Sequence, residues 1–444
     1  MSGGQDKTLK LKTKSLVSPY SDKNGSVLLL AFHFPPENNI ASARSYRFYK
    51  YLPKFGYDLQ VVTTSTQDEK YPLKNVVCVS DQANSAQRRL VRPVLRQLLR
   101  PLVVEGSLDW AFASYEAAER IVSQGKTRAI LSTSPPPISN IVAGRLKERF
   151  GIPWIADFRD PLSGNPDRSN SGISRLRDLS VERWSFRRAD ALIANTDAAL
   201  EMWKRKYPGY ANKMHVIWNG FDPEDPVGPM PLPQRGYRLL VHAGGMHRAR
   251  HAEILLCSLQ RLIRQGRLSA KNCRVRLVGS LAEGWVSDPA LVEELVRSGC
   301  LEYDGQLLPR QDARRIMATA DSLVLFDWLA PAGTIQVPAK LFDYMRIGRP
   351  VLALTTRNSP AERLLSRSGI RFTSIYPEDA PEELDRKVLH FLTLPTEPTV
   401  VKEWFWKEFE AVSQTRQLAS LLDSLCASAP GPRIRHTLQA STVD

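Results

Sequence analysis

Short apolar runs of strand length alternate with segments of helical spacing along most of this chain. The first run, Val27 to Phe32, is apolar on both faces, the pattern of a parallel strand covered on both sides. A loop of breaker residues follows, His33-Phe34-Pro35-Pro36-Glu37-Asn38-Asn39. The segment ASARSYRFYKYLPKFGY then reads as a helix, with Ala43, Phe48, Tyr49 and Leu52 expected on its buried side and Gly56 as its stop. Leu59 to Thr63 is the next strand and completes a βαβ unit. The alternation continues with strands at residues 76–80, 129–132, 153–156, 191–194 and 215–217. Helices fall between them, the last of that group at 198–206 behind the cap Asn195-Thr196-Asp197. The pattern pauses at Trp218-Asn219-Gly220-Phe221-Asp222 and the Pro-rich PEDPVGPMPLPQRG. It restarts with a strand from Tyr237 to Ala243, and further strands follow at 275–278, 301–303, 322–326 and 350–354. Helices are expected at 251–265, 289–298, 309–319, near 361–365, at 381–393 and at 402–425.

Two successive α/β units around a Pro-rich linker predict an α/β fold of two Rossmann-like domains facing a central cleft. The expected division is a basic tail (1–25), a first domain (26–220), a linker (221–236) and a second domain (237–400). A C-terminal helix (401–427) with the option of crossing back to the first domain and a tail (428–444) complete the chain. Both tails read as disordered.

Composition narrows the partners. The 444 residues carry 61 basic and 46 acidic side chains, a net charge of +15, which points to an anionic partner. The basic residues are dispersed and no nucleic-acid recognition motif occurs, so no nucleic acid is expected. Arg88, Arg89, Arg92, Arg96 and Arg100 alternate with apolar residues, as in a basic helix lying on an anionic membrane surface. A solvated helix packing its leucines on the domain reads equally well. Five scattered cysteines without a CxxC pair fit a reducing compartment. No apolar run approaches the roughly 20 residues of a membrane span, and the polar N-terminus lacks a signal core. The expectation is a cytoplasmic protein, soluble or peripheral on the inner face of the membrane.

Three segments carry candidate chemistry. In TIQVPAKLFDYMRIGRPVLAL (334–354), a loop feeds a helix start, with Pro338 as the expected first helical residue. Leu341, Tyr344 and Met345 share one face, and Gly348 stops the helix. Free N–H groups at the helix start, with Lys340 as a mobile cation, suit a diphosphate, and Asp343 one turn on could accept from sugar hydroxyls. A surface helix between two strands is the plainer alternative. Asp157-Phe158-Arg159-Asp160 stands at a strand's carboxyl end, where open α/β sheets bind ligands. Gly244-Gly245 opens the third segment, letting backbone approach a ligand, with Arg248 and Arg250 as charge. His242, His247 and His251 lack the Glu or Cys that would complete a familiar metal pattern.

Taken together, FHFPPE, RSYRFYKYLPKFGY, STSPPP, WIADFRDP, ALIANTD, VIWNGFD, HAGGMHRAR, YDGQLLPRQD and VPAKLFDYMRIGRPVLAL resemble, in order, the GT-B glycosyltransferases of the family-4-like group. Enzymes of bacterial cell-surface polysaccharides are the relatives this set is most similar to. The resemblance implies a nucleotide-sugar donor on the second domain and a glycan or lipid-linked acceptor against the first. It further implies retention of anomeric configuration and no metal or other cofactor. Arg250, with Arg248 beside it, and Lys340 would stabilise the departing diphosphate. Gly244 and Gly245 would admit the phosphates, Asp343 would contact the ribose, Val337 would line the donor, and Gly305 would flank the base. Asp160, ahead of Asp157, would sit near the reacting sugar, with Glu37, Asn38 and Arg159 on the acceptor side. The chain departs from the family's paired glutamates, with Ile335 at the first position and Asp343 at the second. A nucleotide-sugar epimerase of the same fold, or a non-catalytic binding protein, is the alternative.

Overall fold

The computed structural model describes residues 25–37, 40–64, 73–79, 108–165, 172–246, 250–306, 308–329 and 331–428. The basic segment 88–100, Asn38, Arg248 and nearly all of both tails lie outside the described residues.

The first sheet is built from β1 (Ser26–Ala31), β2 (Asp58–Thr63), β3 (Val76–Cys78), β4 (Thr127–Ser134), β5 (Trp154–Phe158), β6 (Ala191–Ala194) and β7 (Met214–Val216). Its order is β3-β2-β1-β4-β5-β6-β7, all parallel. Helices α1 (Ile40–Tyr51), α2 (Leu108–Ser123), α3 (Ile138–Phe150), α4 (Gly172–Arg188) and α5 (Asp197–Lys206) provide the connections. Alternation along β1 separates two cores: Leu28 and Leu30 enter one, and Val27, Leu29 and Ala31 the other. Both faces are therefore covered, which is why the run is continuously apolar.

The second sheet comprises β8 (Arg238–Ala243), β9 (Cys273–Val278), β10 (Leu301–Tyr303), β11 (Ser322–Phe326), β12 (Val351–Leu354) and β13 (Phe372–Ile375). Its order is β10-β9-β8-β11-β12-β13, again parallel. Helices α6 (Glu253–Arg264), α7 (Pro289–Arg297), α8 (Arg310–Ala318), α9 (Lys340–Ile347), α10 (Pro360–Ser368) and α11 (Pro381–Thr393) cover it. The two sheets share one doubly wound order, so each reverses strand direction of growth beside its first strand.

Four local expectations need correction. Edge strand β13 gave no apolar run to read, because Thr373 and Ser374 are only half buried. The strand expected at 76–80 ends at Cys78. Helix α9 begins at Lys340 rather than Pro338. The expected helix 402–425 is two, α12 (Glu403–Phe409) and α13 (Ala411–Ser428), broken at Glu410. At that break Phe221 N–H donates to Phe409 O (3.1 Å) and Ala411 N–H donates to Phe221 O (2.9 Å). Backbone bonds to the linker thus replace helical ones. Phe405 and Phe409 pack into the second domain, while Leu418, Ala419 and Leu422 join the β1 core of the first.

Candidate functional site

The carboxyl ends of the two sheets border one cleft of about 960 Å³. The first domain lines it with residues that follow β1 (Phe32, His33), β4 (Pro135, Pro136), β5 (Arg159, Asp160) and β6 (Asn195). The second domain contributes Gly244 after β8, Gly279 after β9, Trp328 after β11, and the loop Gln336 to Ala339 leading into α9.

Lys340 begins α9 and is not the mobile cation expected from sequence. Its Nζ lies 3.0 Å from His242 Nε2, and His242 Nδ1 lies 2.9 Å from Val324 O. A carbonyl can only accept, so Nδ1 carries the proton and Nε2 offers its lone pair to the lysine. His242 is fully buried on β8, and burial first, then Lys340, holds its pKa well below the ordinary value. Burial and the neighbouring Arg250 also hold Lys340 well below the usual lysine range. Gly244 has φ +134° and its missing Cβ leaves room for Lys340 Nζ. Gly279 has φ +133°, and a Cβ there would come within 2.7 Å of Gly244 O. These two glycines let the β8 and β9 loops lie against each other, joined by Gly244 N–H donating to Val278 O (2.8 Å).

Arg250 lines the cleft, donates to Phe326 O (3.0 Å) and places its guanidinium 4.1 Å from the Trp328 ring centre. Between Phe326 and Trp328, buried Asp327 accepts from the Thr355 hydroxyl (2.7 Å) and the Trp328 N–H (2.8 Å). Burial nevertheless pushes its carboxyl up to about 7. Asp343 lines the cleft with both oxygens facing Arg314, at 3.1 Å to Nε and 3.2 Å to Nη2. Val337 is a buried lining residue. Gly245 packs beside Ser280, and Gly305 (φ +67°) sits in the loop after β10; neither lines the cleft.

On the facing wall, Asp160 Oδ1 accepts from Gln336 Nε2 of the second domain (3.0 Å). Arg159 is buried, donates to Ser134 O (3.3 Å) and Pro135 O, and burial lowers its pKa to about 10. Glu37 accepts from His33 Nδ1 at 2.7 Å, and it is His33 that reaches the cleft. Asp157 is placed elsewhere. It is fully buried, gripped by Arg44 through Nε (2.9 Å) and Nη2 (2.7 Å), and does not line the cleft. Arg44 also donates to Ile217 O (2.9 Å) and Trp218 O (2.8 Å), fastening the segment after β7 to α1. That pair is a structural clamp rather than an acceptor contact.

Sequence reading missed His242 as a lysine partner, and it missed Asp327, Arg314 and Gln336. Sequence spacing carries no sign of these contacts, which join separate elements. Among the described residues, no group of three or more His, Cys, Asp or Glu is placed to hold a metal ion.

Comparison with known proteins agrees with this geometry. Residues 41–225 match the family model for Glycosyltransferase Family 4. The sucrose-phosphate synthase of Thermosynechococcus elongatus superposes over 91% of this chain and 100% of its own, with TM-score 0.64 and 15% identity. The Anabaena protein HepE in complex with UDP-glucose covers 90% of this chain and 100% of its own, with TM-score 0.58 and 17% identity. In sequence, a D-inositol 3-phosphate glycosyltransferase of Nocardiopsis dassonvillei is 26% identical over 276 residues, 56% of this chain. The match spans 59% of that relative's length. Over residues 41–225 the chain is thus similar to Glycosyltransferase Family 4, and it shares the fold of these solved structures.

Proposed function

We propose that the protein transfers a sugar from a nucleotide-diphosphate sugar to a glycan or lipid-linked acceptor, with retention of anomeric configuration. The observation that carries this reading is the placement of Lys340 and Arg250 together at the carboxyl edge of the second sheet, on the Gly244 turn, facing Asp160 across the cleft. Negative charge develops on the diphosphate as the glycosidic bond breaks. Two cations held in a partly desolvated cleft stabilise that charge more than they stabilise the ground state. They take the role that a metal ion plays in other transferases. Asp343, oriented by Arg314, retains lone pairs for ribose hydroxyls. Asp160, steadied by Gln336, stands on the acceptor side. The GT-B fold and the UDP-glucose complex of HepE support a nucleotide sugar as donor.

The test is donor turnover with purified protein. Lys340→Ala and Arg250→Ala are each expected to lower transfer about 100-fold. Near-full activity in both variants would remove the diphosphate site from this cleft. Isomerised donor without transfer would instead identify an epimerase.

A further inference from the structure

Lys340 is half-buried in the cleft wall, yet among the described residues its Nζ has a single hydrogen-bond partner, the neutral imidazole of His242. No carboxylate lies within ion-pair distance of it among those residues. This arrangement is unusual for a lysine, since a buried ammonium is normally matched by a counter-ion. The groups around it explain why none is available. Asp343, on the same helix, is engaged by Arg314. Asp327, after β11, accepts from Thr355 and Trp328 and makes no ion pair with the lysine. Tyr344, also on α9, donates to Val324 O (3.0 Å). Arg250, before α6, adds positive charge. His242 is itself locked, because its Nδ1 proton is committed to Val324 O. Its Nε2 can hold the lysine whether that group is an amine or an ammonium, since both donate.

We propose that His242 is a positioning residue that holds Lys340 as a proton-accepting amine, and that a nucleoside diphosphate supplies the missing counter-charge, so its binding takes up one proton from solvent onto Lys340 Nζ. The inference rests on the diphosphate site proposed above. The step balances simply: one N–H bond forms at Nζ, the proton comes from the buffer, and no other bond changes. The site then avoids placing a second cation, Lys340, beside Arg250, and that charge forms only when the diphosphate is present. Affinity is highest when the lysine is already protonated, so it weakens as pH rises, by up to about tenfold per unit.

Calorimetric titration with UDP, and with ADP in parallel, tests this at pH 8.5, where the nucleotide phosphates are already ionised. Binding heat is compared in buffers of differing ionisation enthalpy. Wild type is expected to take up between about half a proton and one proton. Lys340→Arg keeps the charge permanently, so it should bind with no uptake and a flat pH profile. His242→Leu should weaken binding about tenfold, and His242→Gln, which restores an acceptor near the Nε2 position, should recover most of that loss. Melting curves confirm that each variant is folded. Binding without proton uptake in wild type overturns the inference and leaves the proposed function standing. Wild-type affinity in His242→Leu overturns the positioning role. Failure of both nucleotides to bind overturns the proposed function together with this inference.

Discussion

At the scale of single residues, burial decides what each charged group can do. Asp157 and Asp160 are three positions apart, and the sequence reading places Asp160 ahead of Asp157 near the reacting sugar. Arg44 grips both oxygens of the first inside the domain, whereas the second reaches the cleft. The sequence of α1 hides this outcome. Phe48 and Leu52 are buried as expected, Ala43 and Tyr49 only partly, and Arg44 and Arg47 are buried as well. Arg44 is buried there because the Ile217 and Trp218 carbonyls and the Asp157 carboxylate satisfy its donors. Asp327 gives a pH-dependent prediction. Its folded pKa is raised from 3.8 to about 7, so across that window the folded state keeps a proton that the unfolded chain has lost. Stability from this group therefore falls as pH rises through the window. Asp327→Asn keeps an acceptor for Trp328 and is expected to flatten the thermal midpoint between pH 4 and 7. Identical pH profiles for variant and wild type would refute that origin.

At the scale of elements, local chemistry was legible wherever one segment determines its own shape. Gly56 and Gly348 adopt left-handed backbone and close their helices, and the Thr196 side chain caps α5 by accepting from Ala199 N–H. The helix expected at 402–425 failed because its break is imposed from outside, by the Phe221 backbone. Nothing within EWFWKEFEAVSQ demands a stop. The consequence is large, since Glu410 redirects the chain and α13 crosses back to pack against α1 and β4. Removing residues 411–444 would take away Leu418 and Leu422 and uncover the β1 core beneath them. The expected loss is about 3–5 kcal/mol of first-domain stability, measured as a lower denaturation midpoint. An unchanged midpoint would show that α13 is an appendage.

At the scale of the whole molecule, the two domains meet across the cleft through the loop that leads into α9. Thr196 Oγ1 donates to Ile335 O (2.6 Å), Gln336 donates to Asp160, and the Ile335 side chain packs against the first domain's core. An isoleucine where the family resemblance leads one to expect a glutamate thus has a packing reason. Ile335→Glu would place a carboxylate against apolar side chains. The expected result is a larger radius of gyration in small-angle scattering and at least about a tenfold loss of transfer. Unchanged scattering and activity would mean that the contact does not hold the domains. The sequence by itself determined the two α/β units, the linker between them, most strands and helices, and the cleft-facing Arg250, Lys340 and Asp160. It could do so because strand length, helical spacing, caps and motif order are local properties of the chain. Only the tertiary structure decided that Lys340 is a half-buried partner of His242 rather than a mobile surface cation. It also decided that Asp157 belongs to a clamp, that Asp343 is tied to Arg314, and that the last helix returns to the first domain. Each of those outcomes depends on which distant groups share a desolvated space, and desolvation acts on neighbours in three dimensions rather than along the chain.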